Sequence, residues 1–263
     1  MLSTLIRGLH GVYIIWYRDV LRFWRDRARM LTTLAMPVLY LVIFGTGIAS
    51  IFKQGEFDYL AFMYPGIIAM VVIFGSIMTG VTVVFDREFG FLKEVLVAPL
   101  SRSGVALGKT LGGATVAMLQ GILLLVLAPL IGADLTPLLV LKLIPLMLLL
   151  AVTVSAFGIL MASKIQSMQA FPMVMQVVVF PLIFLSGVFF PVSNVPVWLE
   201  VMVKINPVTY GVDAIRKLFI ETDGGLSVSL FGHTMGTPED VAIVLAFGAA
   251  AVIAAMWSFE RLE

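Results

Sequence analysis

The chain contains no cysteine and only two histidines, His10 and His233, in 263 residues. That excludes disulfides, thiolate metal sites, cysteine nucleophiles and a buried histidine-rich metal centre. Charge is scarce too: Asp, Glu, Lys and Arg make up 13% of residues against 60% hydrophobic, and mean hydropathy is +1.07. One soluble core cannot bury so much apolar surface, so the composition is that of an integral membrane protein. A net charge of +1 offers no global attraction to nucleic acid, and the information lies in where the charges stand.

They stand between uncharged runs. Residues 30–52, 59–85, 110–133, 143–163 and 241–259 are each long enough to cross a hydrocarbon layer of ~30 Å as a helix. A further run, 165–199, has 35 residues, about 52 Å as a continuous helix, too long for a simple crossing. Gly187, Pro191 and Pro196 mark where it turns, and short helices follow as far as the break at Asn206-Pro207. The sequence thus predicts an all-α membrane protein with six transmembrane helices. Residues 1–29 form an N-terminal amphipathic helix and 30–263 the membrane domain. In the N-terminal helix, Arg7, Arg18, Arg22, Arg25 and Arg29 share one face at 100° per residue, opposite Leu5, Leu9, Val12, Trp16, Val20 and Phe23, as in a helix lying in the membrane interface. With the N-terminus inside, the inner segments carry 12 Lys and Arg and the outer ones 5, which puts both termini in the cytoplasm.

The loop at 86–109, DREFGFLKEVLVAPLSRSGVALGK, is the main polar interruption of the first two thirds of the chain. Phe89, Phe91, Leu92, Val95 and Leu96 recur at spacings of three and four, the pattern of a short amphipathic helix whose apolar ridge needs a partner. SGVALGKT, at 103–110, only approaches a phosphate-binding loop, because Ser103 stands where the first glycine belongs and Val-Ala-Leu fills the middle. Its residues read better as a headgroup anchor, Lys109, and small residues, Gly108, Gly112 and Gly113, that admit a neighbouring helix. The spans hold no Asp, Glu, Lys, Arg or His at central depth, which disfavours an ion-coupled carrier or channel. An intramembrane enzyme is disfavoured because no paired carboxylates, metal ligands or nucleophile-base pair occur at a membrane face. Thr79, Gln120 and Gln176 either line a pathway or hydrogen-bond between helices. Phe180 and Phe184, in the fifth span, face a pathway, lipid or a second chain. The absence of charge at mid-depth favours amphipathic or hydrophobic cargo over ions.

The basic amphipathic N-terminal helix, six spans, DREFGFLKEVLVAP after the second and FLSGVFFPVSNVPVWLEVMVKINPVTYGVDAIRKL after the fifth together resemble the type-2 ABC exporter permeases of the drug-resistance, nodulation-factor and polysaccharide export group. The resemblance covers nearly the whole chain. It implies a half-transporter in a prokaryotic cytoplasmic (inner) membrane, paired with a second permease chain as a homodimer, with surrounding lipid and two separate ABC ATPase subunits as its other partners. The chain then binds no cofactor, and ATP and Mg belong to the partner subunits. The resemblance further implies a coupling helix at 88–96, with Arg87, Glu88, Phe89, Gly90, Phe91, Leu92 and Glu94 facing the ATPase, and Arg18, Arg22 and Arg25 near it. The segment 187–217 becomes an external re-entrant gate containing Gly187, Pro191, Asn206 and Pro207. An exporter of small ions remains the alternative within this class.

Overall fold

A computed structural model describes residues 2–26, 28, 30, 32, 35–43, 59–90, 101–131, 135–165, 167–192, 195–220, 228–230 and 233–261. The helices are α1 (Leu2–Arg25), α2 (Tyr59–Glu88), α3 (Arg102–Val126), α4 (Pro137–Lys164), α5 (Ala170–Phe184), α6 (Val197–Ile205), α7 (Pro207–Phe219) and α8 (Thr237–Glu260). Residues 35–43 are also helical, and Ala128–Ile131 adds a short 3₁₀ turn.

Four of these helices, α2, α3, α4 and α8, are long and apolar enough to cross a membrane. They correspond to the second, third, fourth and sixth predicted spans. The first falls partly on residues 44–58, outside the described residues, and its described part is the helix 35–43. The fifth is shorter than predicted: α5 has 15 residues, with a π-helical turn at Met175–Val179 in its middle, and is about 22 Å long. It ends in a turn through Gly187, whose φ of +77° belongs to the left-handed region that glycine adopts freely.

Local chemistry sets the helix starts. Ser101 accepts the Gly104 amide and Thr136 the Leu139 amide, each satisfying a donor that the first turn leaves free. Asn206 does the same for Val208 ahead of Pro207, and its side-chain amide donates to the Leu182 carbonyl at 2.7 Å, tying the break between α6 and α7 to the end of α5. Because Ser101 caps α3, that helix begins eight residues before the predicted span, and α2 runs on through Glu88. Both flanks of the 86–109 loop are therefore helical.

The bundle centres on α2, which packs against α3, α4 and α7. Its most apolar stretch is 78% buried within the chain, against 28% for α8. Small residues set the approach: a Cβ on Gly80 would lie 2.6 Å from the Gly158 carbonyl oxygen, and one on Gly66 2.7 Å from that of Val188. Lipid is as apolar as leucine, so such close packing, rather than exclusion from water, holds the helices together. A two-stranded hairpin, Ser229–Leu230 paired with His233–Thr234, precedes α8 in the polar segment.

The α2–α4 crossing yields a test. Gly80→Val would drive its side chain into backbone and cost about 1–3 kcal/mol, lowering the melting temperature of purified protein in nanodiscs. Gly90→Val meets no neighbouring atom, so its loss comes from the positive φ alone, about 1–2 kcal/mol. Equal melting temperatures for Gly80→Val and the parent would remove the close crossing.

Candidate functional site

At the end of the bundle beside the 86–109 loop, four charged side chains from three helices converge. Lys109 of α3, 2% exposed, places Nζ 2.5 Å from Oδ2 of Asp86 on α2 and 3.5 Å from Oδ2 of Asp19 on α1. Arg18 of α1 bonds Asp19 at 2.9 Å and Asp86 at 3.2 Å. Lys109 also donates to the Thr82 hydroxyl at 3.3 Å, and Thr82 donates to the Thr79 carbonyl at 2.8 Å. Burial opposes the Arg18 charge, but the two carboxylates outweigh it and its pKa is raised. Lys109, read from the sequence as a headgroup anchor, is turned inward to these carboxylates.

The glycines of α3 make this convergence possible. Gly108 lies against Val12 and Ile15, Gly112 against Asp19 and Gly113 against Thr79. Trp16 Nε1 donates to Thr115 Oγ1 at 2.9 Å. Residues advance together along the two helices, so α1 runs beside α3 in the same direction, a closer engagement than an interfacial helix needs. Of the face predicted to lie opposite the arginines, Phe23 is buried in the bundle and Val12, Trp16 and Val20 are partly buried. Ile15 is buried too, while Tyr13, Tyr17 and Trp24 form an exposed aromatic stripe. Arg22 and Arg25 are exposed, with Arg22 5.9 Å above the Phe85 ring.

The predicted ATPase-facing residues divide as well. Arg87 donates to the carbonyls of Ser163 and Ile165 at 3.4 and 3.2 Å, closing the end of α4, and Glu88 accepts the Met168 amide at 2.8 Å. Phe89 is 69% exposed and packs on Phe85 with ring centroids 4.3 Å apart. Gly90 has a φ of +78° with open space around it. Phe91, Leu92 and Glu94 lie outside the described residues.

Farther into the bundle, a cleft of about 440 Å³ opens between the 32–40 region, α2, α3 and α5. Met36, Met70 and Met78 line it together with Tyr40, Phe74 and Phe180. Phe180 meets Phe74 edge to face at 5.9 Å and stacks on Phe184 at 6.4 Å. Gln120 lies on the cleft wall, 3% exposed. Thr79 lines a separate cavity of about 30 Å³ nearer the charged cluster, with Asp19, Arg22 and Thr82, and Gly75 borders both spaces. Gln176 is exposed on α5.

At the other end, Arg216 of α7 is 3% exposed, donates to the Gly187 carbonyl at 2.5 Å and lies 4.1 Å above the Phe62 ring. Burial lowers its pKa to about 10, with Asp213 working against the shift. Lys217 bridges Asp213 at 2.8 Å and Asp240 at 2.5 Å, joining α7 to the start of α8. Burial opposes its charge too, but the hydrogen bonds and charges of the two carboxylates prevail and raise its pKa. Pro191 follows the Gly187 turn and is partly buried; Asn206 and Pro207 form the break described above.

A multi-pass helical bundle has charged clusters at its two ends and, between them, a cleft whose described lining carries no charge; comparison with known proteins defines the class. Residues 10–220 match the family model described as ABC-2 type transporter. The chain belongs to that family, and so is the transmembrane subunit of an ABC transporter. It is 29% identical over 232 residues to the putative transport permease ycf38 of Cyanophora paradoxa, covering 85% of this chain and 79% of that protein. It is 28% identical over 224 residues to the inner membrane transport permease YadH of Escherichia coli, covering 83% and 86%. Identity to the probable multidrug ABC transporter permease YbhR of the same organism is 30% over 172 residues, covering 65% and 46%.

The charged cluster makes a sharp prediction. Asp86→Ala leaves the buried Lys109 to share Asp19 with Arg18, an excess positive charge that would cost up to about 3–5 kcal/mol, read as a fall in thermal stability in nanodiscs. Adding Lys109→Met removes the excess charge and restores much of that loss. A double variant as unstable as the two single losses summed would show that the charges act independently. Arg25→Ala, fully at the surface, would change stability by no more than about 0.5 kcal/mol.

Proposed function

We propose that the chain is the permease of an ATP-driven exporter of amphipathic or hydrophobic cargo such as a drug, a lipid or a lipid-linked glycan. Two copies pair as a homodimer in a prokaryotic inner membrane, with both termini cytoplasmic. Separate ATPase subunits bind ATP and Mg and dock at 86–109, where Phe89, Gly90, Phe91, Leu92 and Glu94 present the contact surface and Arg87 and Glu88 fasten it to the 163–168 segment. Arg22 and Arg25 extend that surface, while Arg18 ties α1 to the loop's inner anchor. The segment 187–217 forms the external gate.

The observation that carries the cargo reading is the uncharged cleft. Among the described residues that line it, none is Asp, Glu, Lys, Arg or His. An ion there would lose hydration without a compensating partner, whereas an apolar molecule meets methionine and aromatic side chains that adapt to its shape. The name of YbhR, a probable multidrug permease, supports the same direction. Export of small ions, the second reading, lacks such a feature in the cleft. For the docking reading, the support is mechanical: Asp86 and Lys109, at the two ends of the loop, are bonded to each other and to α1, so a load on the loop is delivered to three helices at once.

Two measurements test this. Phe91→Ala removes an aromatic anchor worth about 2 kcal/mol or more in a docked interface and would weaken copurification of the ATPase subunit or uncouple hydrolysis from transport; normal transport by both Phe91→Ala and Glu94→Arg would remove the docking assignment. Because the chain has no cysteine, single cysteines report topology without background. His233→Cys would react with an impermeant thiol reagent on intact cells and Phe89→Cys would not; the reverse pattern would invert the proposed orientation.

A further inference from the structure

Five aromatic rings are joined in one line beside the cleft. Phe74 of α2 meets Phe180 of α5 at 5.9 Å, Phe180 stacks on Phe184 at 6.4 Å, Phe184 on Phe189 at 5.1 Å, and Phe189 meets Tyr40 edge to face at 6.2 Å. Tyr40, Phe74 and Phe180 also line the cleft. The line therefore leaves the cleft wall at Phe180, passes through Phe184 and Phe189, and returns to the wall at Tyr40. Phe184 and Phe189 flank the Gly187 turn, which is seated against α2 where Gly66 admits the Val188 backbone. Gly66 lies about 12 Å along α2 from Phe74, so the arc of rings covers the distance between cleft and turn.

Rings that only fill a core lose their open surface, and these have not. Phe180 is 42% and Phe184 51% exposed, and Tyr40, Phe74 and Phe189 are partly exposed. Because Phe180 both lines the cleft and keeps much of its surface open, ring area is presented to a molecule there rather than sealed behind other side chains. A π-system attracts a second one beyond the area the two bury, through offset stacking or edge-to-face contact. Any flat aromatic group offers such a face. The three methionines on the same wall, Met36, Met70 and Met78, add sulfur contacts to ring edges and adapt to the rest of the molecule.

We propose that this arc is a stacking surface that selects cargo bearing a flat aromatic group, with Phe180 receiving the group in the cleft and Phe184 extending the surface toward the Gly187 turn. The proposal rests on the cleft being the cargo site, as proposed above. It narrows the cargo from apolar molecules in general to those with an aromatic ring system. Acyl chains and saturated rings fill the same space without gaining the stacking contact, so drug-like molecules are favoured over lipid chains.

The test uses the whole chain in nanodiscs with a single cysteine, Met36→Cys, on the cleft wall. Alkylation of that thiol by N-ethylmaleimide is followed in the presence of phenanthrene or of perhydrophenanthrene, which share one carbon skeleton and are compared at equal concentration in the nanodisc lipid. Phenanthrene is expected to protect the thiol at about five-fold lower concentration, the ratio for one stacked ring pair. Phe180→Leu and Phe184→Leu keep apolar bulk but remove a ring, and each is expected to shrink that ratio to about two-fold or less while protection by perhydrophenanthrene holds. Protection by phenanthrene no better than by perhydrophenanthrene in the parent would overturn the stacking surface and leave the cleft as a binding site. So would an equal loss for both probes in the variants, which marks the rings as packing. A ratio that falls in Phe180→Leu and persists in Phe184→Leu would confine stacking to the cleft wall and overturn the arc. Failure of both probes to protect at any concentration would overturn the cleft reading and this proposal together.

Discussion

The ion pair between Lys109 and Asp86 is the constraint on which the end of the bundle beside the 86–109 loop depends. A lysine with 2% exposure next to hydrocarbon must keep a counter-charge and its donors filled, because the desolvation penalty of an unpaired ammonium is far larger than any single packing term. Asp86 supplies the charge, Thr82 a second acceptor, and Asp19 with Arg18 completes a neutral set of two acids and two bases. The consequence is positional. Three helices are held in one register at one level, and the loop they enclose is fixed at both ends.

That register is affordable only because α3 has almost no side chain where α1 and α2 approach. Gly108 and Gly112 receive α1, and Gly113 receives Thr79 of α2. The same device recurs at Gly80 and Gly158 between α2 and α4. With helices this close at their inner and central turns, the space left over is confined to the side where 35–43 and α5 stand off from α2, and the cleft forms there. Its emptiness of charge and the crowding of charge at the joint are two results of one sorting: ionisable groups sit where partners from several helices can meet them.

Much of this was legible in the sequence. Charge-free runs located α2, α3, α4 and α8 because a helix crossing lipid tolerates little else. Gly187 and the Asn206-Pro207 pair located the turns after the fifth run, because a positive φ and a missing backbone donor are local requirements. The Gly108, Gly112, Gly113 pattern announced a close helix neighbour, although not which one. The joint itself was not legible. Asp86 and Lys109 delimit uncharged runs and so read as loop termini, yet Ser101 caps a helix that includes Lys109, and α2 continues through Asp86. Helix boundaries set by capping and by tertiary partners override a count of charges. The available signal was the spacing of Lys109 from Gly108 and Gly112, which puts the lysine beside the face that receives α1 and its Asp19. The π-helical turn in α5 had no sequence signal that periodicity detects, and the division of α1 into a packed face and an aromatic face depended on which neighbour it met.

Seen from α2, the joint and the cleft are one device. Asp86 and Thr82 hold its inner end, Thr79 borders the small cavity, Gly75 borders both spaces, and Phe74 and Met70 line the cleft. Asp86, Thr82, Thr79 and Gly75 follow one another at spacings of three and four along one side of a rod whose backbone hydrogen bonds are internal, so the rod shifts or rotates as a unit more easily than it bends. Under the proposed docking of an ATPase on the loop, a displacement of Asp86 therefore reaches Gly75, about 16 Å away along the helix, without a separate relay through side chains. The first contact that such a shift disturbs is that between Gly75 and the Gln120 amide, since no side chain lies between them to absorb it. Within that mechanism, loading the loop changes the shape of the cleft, and occupancy of the cleft by cargo resists or favours the shift by the same free energy.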